Sequence, residues 1–123
     1  KKELLMFPFN YYFRYMGGEP LDRSVGLNTV DAIASIFKRR DEFRLAVAPE
    51  GTRKKVSQLK TGFYYIALKA EVPIIPVAFD FGKKEVNLGK PFFPTSNYEA
   101  DLNELKKHFV GVEGKIPTNG YDW

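Results

Sequence analysis

Cysteine is absent from the sequence, which excludes disulfides, thiolate nucleophiles and cysteine-based zinc sites. No apolar run approaches the ~20 residues that a membrane-spanning helix requires. Internal repeats are missing, and so is the Gly-x-x-x-x-Gly-Lys-Ser/Thr loop of nucleotide-binding proteins. Histidine occurs once, at His108. Besides that one imidazole, the chemistry open to this chain depends on hydroxyl, carboxylate, amine and guanidinium groups.

The remaining composition is that of a folded protein. Hydrophobic residues make up 44% and aromatic residues 15% of the 123 residues, which predicts a single globular domain over residues 1–123. Residues 1–60 contain twelve Lys or Arg against seven Asp or Glu, whereas residues 61–123 contain seven against eight. The first half therefore suits an anionic partner. The chain also starts without Met inside a predicted strand, so we expect the domain to lack its N-terminal part.

Strand and helix patterns alternate along the chain. The sequence predicts strands over 3–7, 19–23, 43–48, 72–81 and 85–93, and helices over 8–15, 28–40, 61–70 and 98–109. This alternation indicates an α/β fold with a mostly parallel sheet flanked by helices. The strand over 72–81 is expected to be buried on both faces, with Pro76 marking a bulge or a strand end. Ligands bind at the carboxyl ends of such strands, which makes the loop after Ala48 a candidate site.

The segment that begins at Ala48 reads Ala-Pro-Glu-Gly-Thr-Arg and continues with further cations. Gly51 permits a tight turn, Thr52 offers a hydroxyl, and Arg53 can form two parallel hydrogen bonds with a phosphate. Lys60 adds positive charge, and Glu50 is expected to orient Arg53 or brace the loop. An ordinary solvated basic loop explains these residues equally well.

Two other segments carry unusual patterns. Residues 17–23 read Gly-Gly-Glu-Pro-Leu-Asp-Arg and place a second arginine, Arg23, after a short strand. This arginine could share a phosphate with Arg53, or it could form a surface ion pair with Asp22. Residues 72–77 read Val-Pro-Ile-Ile-Pro-Val and are most simply a core strand.

In this order and spacing, the three segments resemble the glycerolipid acyltransferase family. Its blocks are similar to Gly-Gly-x-Pro-x-Asp-Arg, Phe-Pro-Glu-Gly-Thr-Arg and Val-Pro-Ile-Ile-Pro-Val, and Ala48 stands where Phe is usual. The resemblance covers about residues 1–81. It implies a glycerol-phosphate acyltransferase-like fold and a site for the acceptor's phosphate, formed by Arg23, Glu50, Gly51, Thr52, Arg53 and Lys60.

The family's His-x-x-x-x-Asp block is not present in these 123 residues, and we expect it before Lys1. The resemblance implies that its histidine takes the proton from an acceptor hydroxyl, which then attacks an acyl thioester. His108 does not replace it, because Glu113 stands where the Asp would be required. No catalytic residue is therefore assigned, and this chain alone is expected to be inactive.

The function implied by the resemblance is transfer of a fatty acyl group from acyl-CoA or acyl-carrier protein to 1-acyl-glycerol-3-phosphate or another lysophospholipid. No metal or further cofactor is expected. Residues 7–16 are rich in aromatics, which suits either core packing or peripheral contact with the cytoplasmic face of a membrane. The alternatives are a different acceptor, such as an amino-lipid, and a non-catalytic lipid- or anion-binding domain. Nucleic-acid binding is not favoured, because the cations lie in loops instead of along one helix face.

Overall fold

The computed structural model describes Tyr15 and residues 29–123. Within them the elements follow the order α1 (Thr29–Arg39), α2 (Gly62–Ala70), β1 (Val77–Asp80), β2 (Glu85–Leu88) and α3 (Tyr98–Lys106), followed by the 3₁₀ turns Lys107–Phe109 and Pro117–Asn119. The three helices predicted in this part of the chain are confirmed. The strands predicted over 3–7 and 19–23, and residues 8–14 of the first predicted helix, lie outside the described residues.

Helix α1 forms because its apolar residues recur on one face. Ile33, Ala34 and Ile36 are buried, while Val30 and Phe37 of the predicted face are half-buried. Lys38 and Arg39 lie in the last turn, where cations suit the helix dipole. The predicted N-cap, residue 28, lies outside the described residues.

Helix α2 packs against α1 and carries the largest fully buried side chain, Tyr64. Thr61 occupies the predicted N-cap position, but its hydroxyl makes no capping hydrogen bond. The helix ends at Glu71, whose φ of 55° reverses the chain. An ion pair between Lys69 and Asp31 also joins the two helices at their surface.

The described strands form an antiparallel hairpin. Val77 pairs with Leu88 and Phe79 pairs with Val86, and an isolated antiparallel bridge joins residues 74 and 92. A parallel sheet is not seen among residues 29–123; this part of the chain shows a mixture of helices and antiparallel strands. The segment 43–48 was predicted as a strand, but it does not form one in the structure, because no described segment pairs with it. Pro76 does mark a strand end, since β1 begins at the next residue.

The prediction that both faces of 72–81 are buried is wrong for the described structure. Burial alternates along β1: Ala78 and Asp80 are buried, whereas Val77 and Phe79 are exposed. The cross-strand partners of these two exposed residues on β2 are exposed as well. The hairpin therefore packs one face on the core and leaves an apolar face uncovered by the described residues, as antiparallel sheets permit.

A buried polar cluster joins α2 to α3. The Tyr64 hydroxyl donates to Asp101 at 2.7 Å, and the backbone N–H and hydroxyl of Thr95 donate to the same carboxylate at 2.7 and 2.8 Å. Burial alone would raise the pKa of Asp101, but the Thr95 and Tyr64 hydrogen bonds hold it below its usual value. Burial, with the neighbouring carboxylate, raises the pKa of Tyr64 to about 12.

Candidate functional site

The candidate loop is closed at its base by backbone hydrogen bonds. The Gly51 N–H donates to the Ala48 carbonyl at 3.1 Å, which forms a turn, and the Lys60 N–H donates to the Pro49 carbonyl at 2.8 Å. Leu59 is buried and anchors the end of the loop in the core. Residues 49–60 thus leave the core and return to nearly the same place, as an Ω-loop does.

Two features distinguish Gly51 in this turn. Its φ is 65°, a left-handed conformation that is strained for residues other than glycine. A Cβ built on Gly51 would also lie 2.9 Å from Cε and 3.2 Å from Nζ of Lys60. The Lys60 side chain therefore lies directly over the glycine, and the structure brings together two residues that are distant within the motif.

Arg53 lies two residues beyond the turn and is exposed. Its guanidinium has no hydrogen-bond or ion-pair partner in the part of the chain that the structure describes. The Thr52 hydroxyl accepts from the Lys54 N–H at 3.3 Å, while the N–H groups of Thr52 and Arg53 donate to no described acceptor. The loop thus presents unsatisfied donors and a cation to solvent, which is what an anion requires.

Glu50 was predicted either to orient Arg53 or to brace the loop, and the structure bears only on the first of these roles. The residue is half-buried, and residues 29–123 contain no ion pair between Glu50 and Arg53. The expected orienting role of its carboxylate is therefore not seen in the described structure. Arg23, the second predicted phosphate ligand, lies outside the described residues, so its proximity to Arg53 stays a prediction.

Two contacts that reach the loop from the C-terminal tail were not predicted from the sequence. Asn119 Nδ2 donates to the Arg53 carbonyl at 3.2 Å, and Lys55 Nζ donates to Asp122 Oδ1 at 2.9 Å. These pairs are far apart in sequence, and neither tail residue lies in a motif. Only the three-dimensional structure could identify them.

The single histidine of the sequence, His108, contacts the hairpin. His108 Nε2 lies 3.1 Å from the Asn87 carbonyl, so the ring contacts β2. Residues 29–123 contain no group of three His, Asp or Glu side chains that could hold a metal ion. Across the same residues, every helix is too short or too polar to cross a membrane.

Comparison with known proteins identifies the family of the chain. A family model described as Acyltransferase matches residues 1–80, a range that contains all three motif segments. The chain is 35% identical over 97 residues to the 1-acyl-sn-glycerol-3-phosphate acyltransferase of Salmonella typhimurium, with 73% of this chain and 39% of that protein covered. It is 33% identical over 136 aligned positions to the Escherichia coli protein of the same name, with 94% and 55% covered.

A human relative, 1-acyl-sn-glycerol-3-phosphate acyltransferase beta, is 29% identical over 126 aligned positions, with 98% of this chain and 42% of that protein covered. The chain spans between 39% and 55% of the length of these three relatives. No solved structure matches. Because the family model matches well over half of the chain, and two relatives exceed 30% identity over most of it, the chain belongs to the acyltransferase family.

Proposed function

We propose that residues 49–60 bind the acceptor's phosphate in an O-acyltransferase. Its acceptor is a lysophospholipid, specifically 1-acyl-glycerol-3-phosphate. The observation that carries the proposal is the exposed guanidinium of Arg53, which has no partner among the described residues. Arg53 lies two residues after the turn at Gly51, and the Lys60 side chain lies over that glycine. The names of the relatives support the same acceptor for this chain.

The groups of the loop suit a phosphate monoester in complementary ways. The guanidinium of Arg53 supplies a planar pair of donors that matches two phosphate oxygens, and Lys60 supplies a compact charge. The Thr52 hydroxyl and the N–H groups beyond Gly51 add neutral donors. Glu50, which is half-buried, would stabilise the loop instead of contacting the anion. Arg23 is proposed as a second arginine on the same phosphate.

Acyl transfer also requires activation of the acceptor hydroxyl. Its oxygen attacks the thioester carbonyl carbon, a base takes its proton, and the thiolate leaves. Residues 1–123 contain no His-x-x-x-x-Asp pair. We therefore assign acceptor binding to this segment and the base to a residue outside it, so that the segment alone would be inactive.

The remaining features of the proposal follow from the resemblance. The acyl donor is acyl-CoA or acyl-carrier protein, and no other cofactor takes part. Residues 7–16 make peripheral contact with the cytoplasmic face of a membrane, where the lipid acceptor resides. The complete domain contains the mostly parallel sheet predicted from the sequence, to which residues 72–81 contribute.

Substitution of Arg53 in the full-length protein tests the proposal. Arg53→Ala removes charge-assisted hydrogen bonds of about 1.5–3 kcal/mol, so we expect the acceptor KM to rise about 10- to 100-fold. Arg53→Lys keeps the charge but loses the planar pair of donors, and its KM should fall between the two. Steady-state kinetics with varied 1-acyl-glycerol-3-phosphate measure both.

Lys90→Ala provides the matched control, because it removes one exposed positive charge from a segment outside the loop. Its acceptor KM should stay at the wild-type value. An Arg53→Ala enzyme with the same kinetics as Lys90→Ala would show that the guanidinium does not bind the acceptor.

A further inference from the structure

The C-terminal tail, residues 117–123, contacts the candidate loop on the C-terminal side of its glycine turn. Asn119 donates to the Arg53 carbonyl, and Asp122 accepts from the Lys55 amine. Within the described part of the chain these are the long-range polar contacts to residues 52–58, which also contain a local hydrogen bond between Lys54 and Thr52. The backbone that carries Arg53 is thus held from outside the loop.

The tail itself is fixed to the end of α3 by aromatic packing. Trp123 stacks on Phe109 with ring centroids 4.2 Å apart and an interplanar angle of 17°. The Tyr121 ring meets Trp123 edge-on at 5.0 Å, and the Lys106 amine lies 5.2 Å from the Tyr121 centroid. Stacked rings contribute more than an exposed ion pair does. The aromatic residues therefore anchor the tail, and its two polar side chains transmit that anchoring to the loop.

Such anchoring matters because residues 51–55 are all exposed. A guanidinium on an exposed loop binds a phosphate well only if the backbone beneath it is already ordered, since ordering on binding reduces the affinity. The hydrogen bond from Asn119 reaches the carbonyl of Arg53 itself. Asp122 holds the side chain two residues further on.

We propose that Asn119 and Asp122 are positioning residues for the acceptor-phosphate site, with the tail holding the segment from Arg53 to Lys55 in its binding conformation. The inference rests on the proposed function. It assigns a role in acceptor binding to a segment beyond residue 80, where the family match ends.

Removal of the charge of Asp122 distinguishes a positioning role from a purely electrostatic effect on acceptor binding. A carboxylate beside a basic loop weakens the field that attracts an anion, so charge alone predicts that Asp122→Asn lowers the acceptor KM. Positioning predicts the opposite change, because the neutral variant releases Lys55. The two explanations therefore differ in sign.

The experiment measures acceptor KM and kcat of the full-length protein for Asn119→Ala and Asp122→Asn. We expect KM to rise about two- to tenfold in each, the size of one net hydrogen bond, with kcat unchanged. Asp122→Glu, which keeps the carboxylate, should restore most of the affinity. The control is Glu104→Gln, which breaks a comparable surface ion pair with Lys107 at the end of α3 and should leave KM unchanged.

A lowered or unchanged KM in Asp122→Asn would overturn the inference. The side chain of Asp122 is 84% exposed, so its replacement leaves the core intact. If Arg53→Ala raises KM while both tail variants do not, the tail proposal alone fails. If Arg53→Ala also has no effect, the phosphate-binding function itself fails.

Discussion

Replacement of Gly51 by alanine tests whether the position of Lys60 over the turn matters for the acceptor. The new Cβ would lie 2.9 Å from Lys60 Cε, too close for both to remain in place. The contacted atoms are the flexible end of the lysine side chain, so the amine moves instead of the backbone. Gly51→Ala should therefore displace the Lys60 charge from the loop.

The two effects of this substitution have separate magnitudes. A left-handed backbone at φ 65° costs an alanine about 1–2 kcal/mol of stability, and movement of the lysine tip adds little. Loss of one cation near 4 Å from a phosphate in water removes about 1 kcal/mol of attraction, which corresponds to a roughly fivefold rise in acceptor KM. Stability and acceptor affinity should both fall.

Two other glycines provide matched controls. Gly111 has a φ of 77° with no atom within 4 Å of a built Cβ, so Gly111→Ala should destabilise the protein equally without changing KM. Gly62, at the start of α2, has neither a left-handed φ nor an atom within 4 Å of a built Cβ. Gly62→Ala should therefore lower neither the stability nor the affinity for the acceptor. Urea unfolding measures stability, and steady-state kinetics measure KM.

The double variant Gly51→Ala with Lys60→Ala completes the test. Once the lysine is truncated, the alanine has nothing to displace, so the double variant should have the KM of Lys60→Ala alone. Equal KM values for Gly51→Ala and Gly111→Ala would contradict this prediction, because displacement of Lys60 would then have no effect on acceptor binding.

Two further predictions concern the framework around the loop. Asp101→Asn places an amide opposite three donors and should lower the free energy of unfolding at pH 7 by about 1–3 kcal/mol. The pKa of Asp101 is lowered in the folded protein, so the stability difference between wild type and variant is present above the unfolded pKa of ~3.9. It should shrink as the pH falls below that value. Urea unfolding from pH 7 to 3 measures this change. A difference of the same size at pH 3 and at pH 7 would contradict the assignment to the carboxylate. Gly89→Ala puts a Cβ 2.6 Å from Cγ of Pro76, so it should destabilise the protein by about 1–3 kcal/mol, whereas Gly62→Ala should not.

The sequence predicted the helices well because their signals are local. The apolar periodicity of α1 and the terminal cations need no information from distant residues, and Pro76 marks the start of β1 for equally local reasons. Strand pairing is not local, and it was the weaker prediction. The apolar run 72–81 was expected to be buried on both faces, yet the hairpin leaves Val77 and Phe79 exposed.

The candidate site was predictable in part for the same reason. Gly51 and Arg53 lie in one short motif, whose spacing identified the loop and the family. The position of Lys60 over Gly51 depends on how the loop returns to the core, and the contact from Asn119 to Arg53 joins residues 66 positions apart in the sequence. No one-dimensional pattern encodes such contacts.

Arg53 is proposed to bind the phosphate of the acceptor. The most direct measurement compares kcat/KM of wild type and Arg53→Ala on two acceptors, 1-acyl-glycerol-3-phosphate and the monoacylglycerol that lacks only the phosphate. If the guanidinium contacts the phosphate, the substitution should lower kcat/KM about 10- to 100-fold for the phosphorylated acceptor and leave the other unchanged. An equal loss on both acceptors would contradict the claim, because Arg53 would then act on something other than the phosphate.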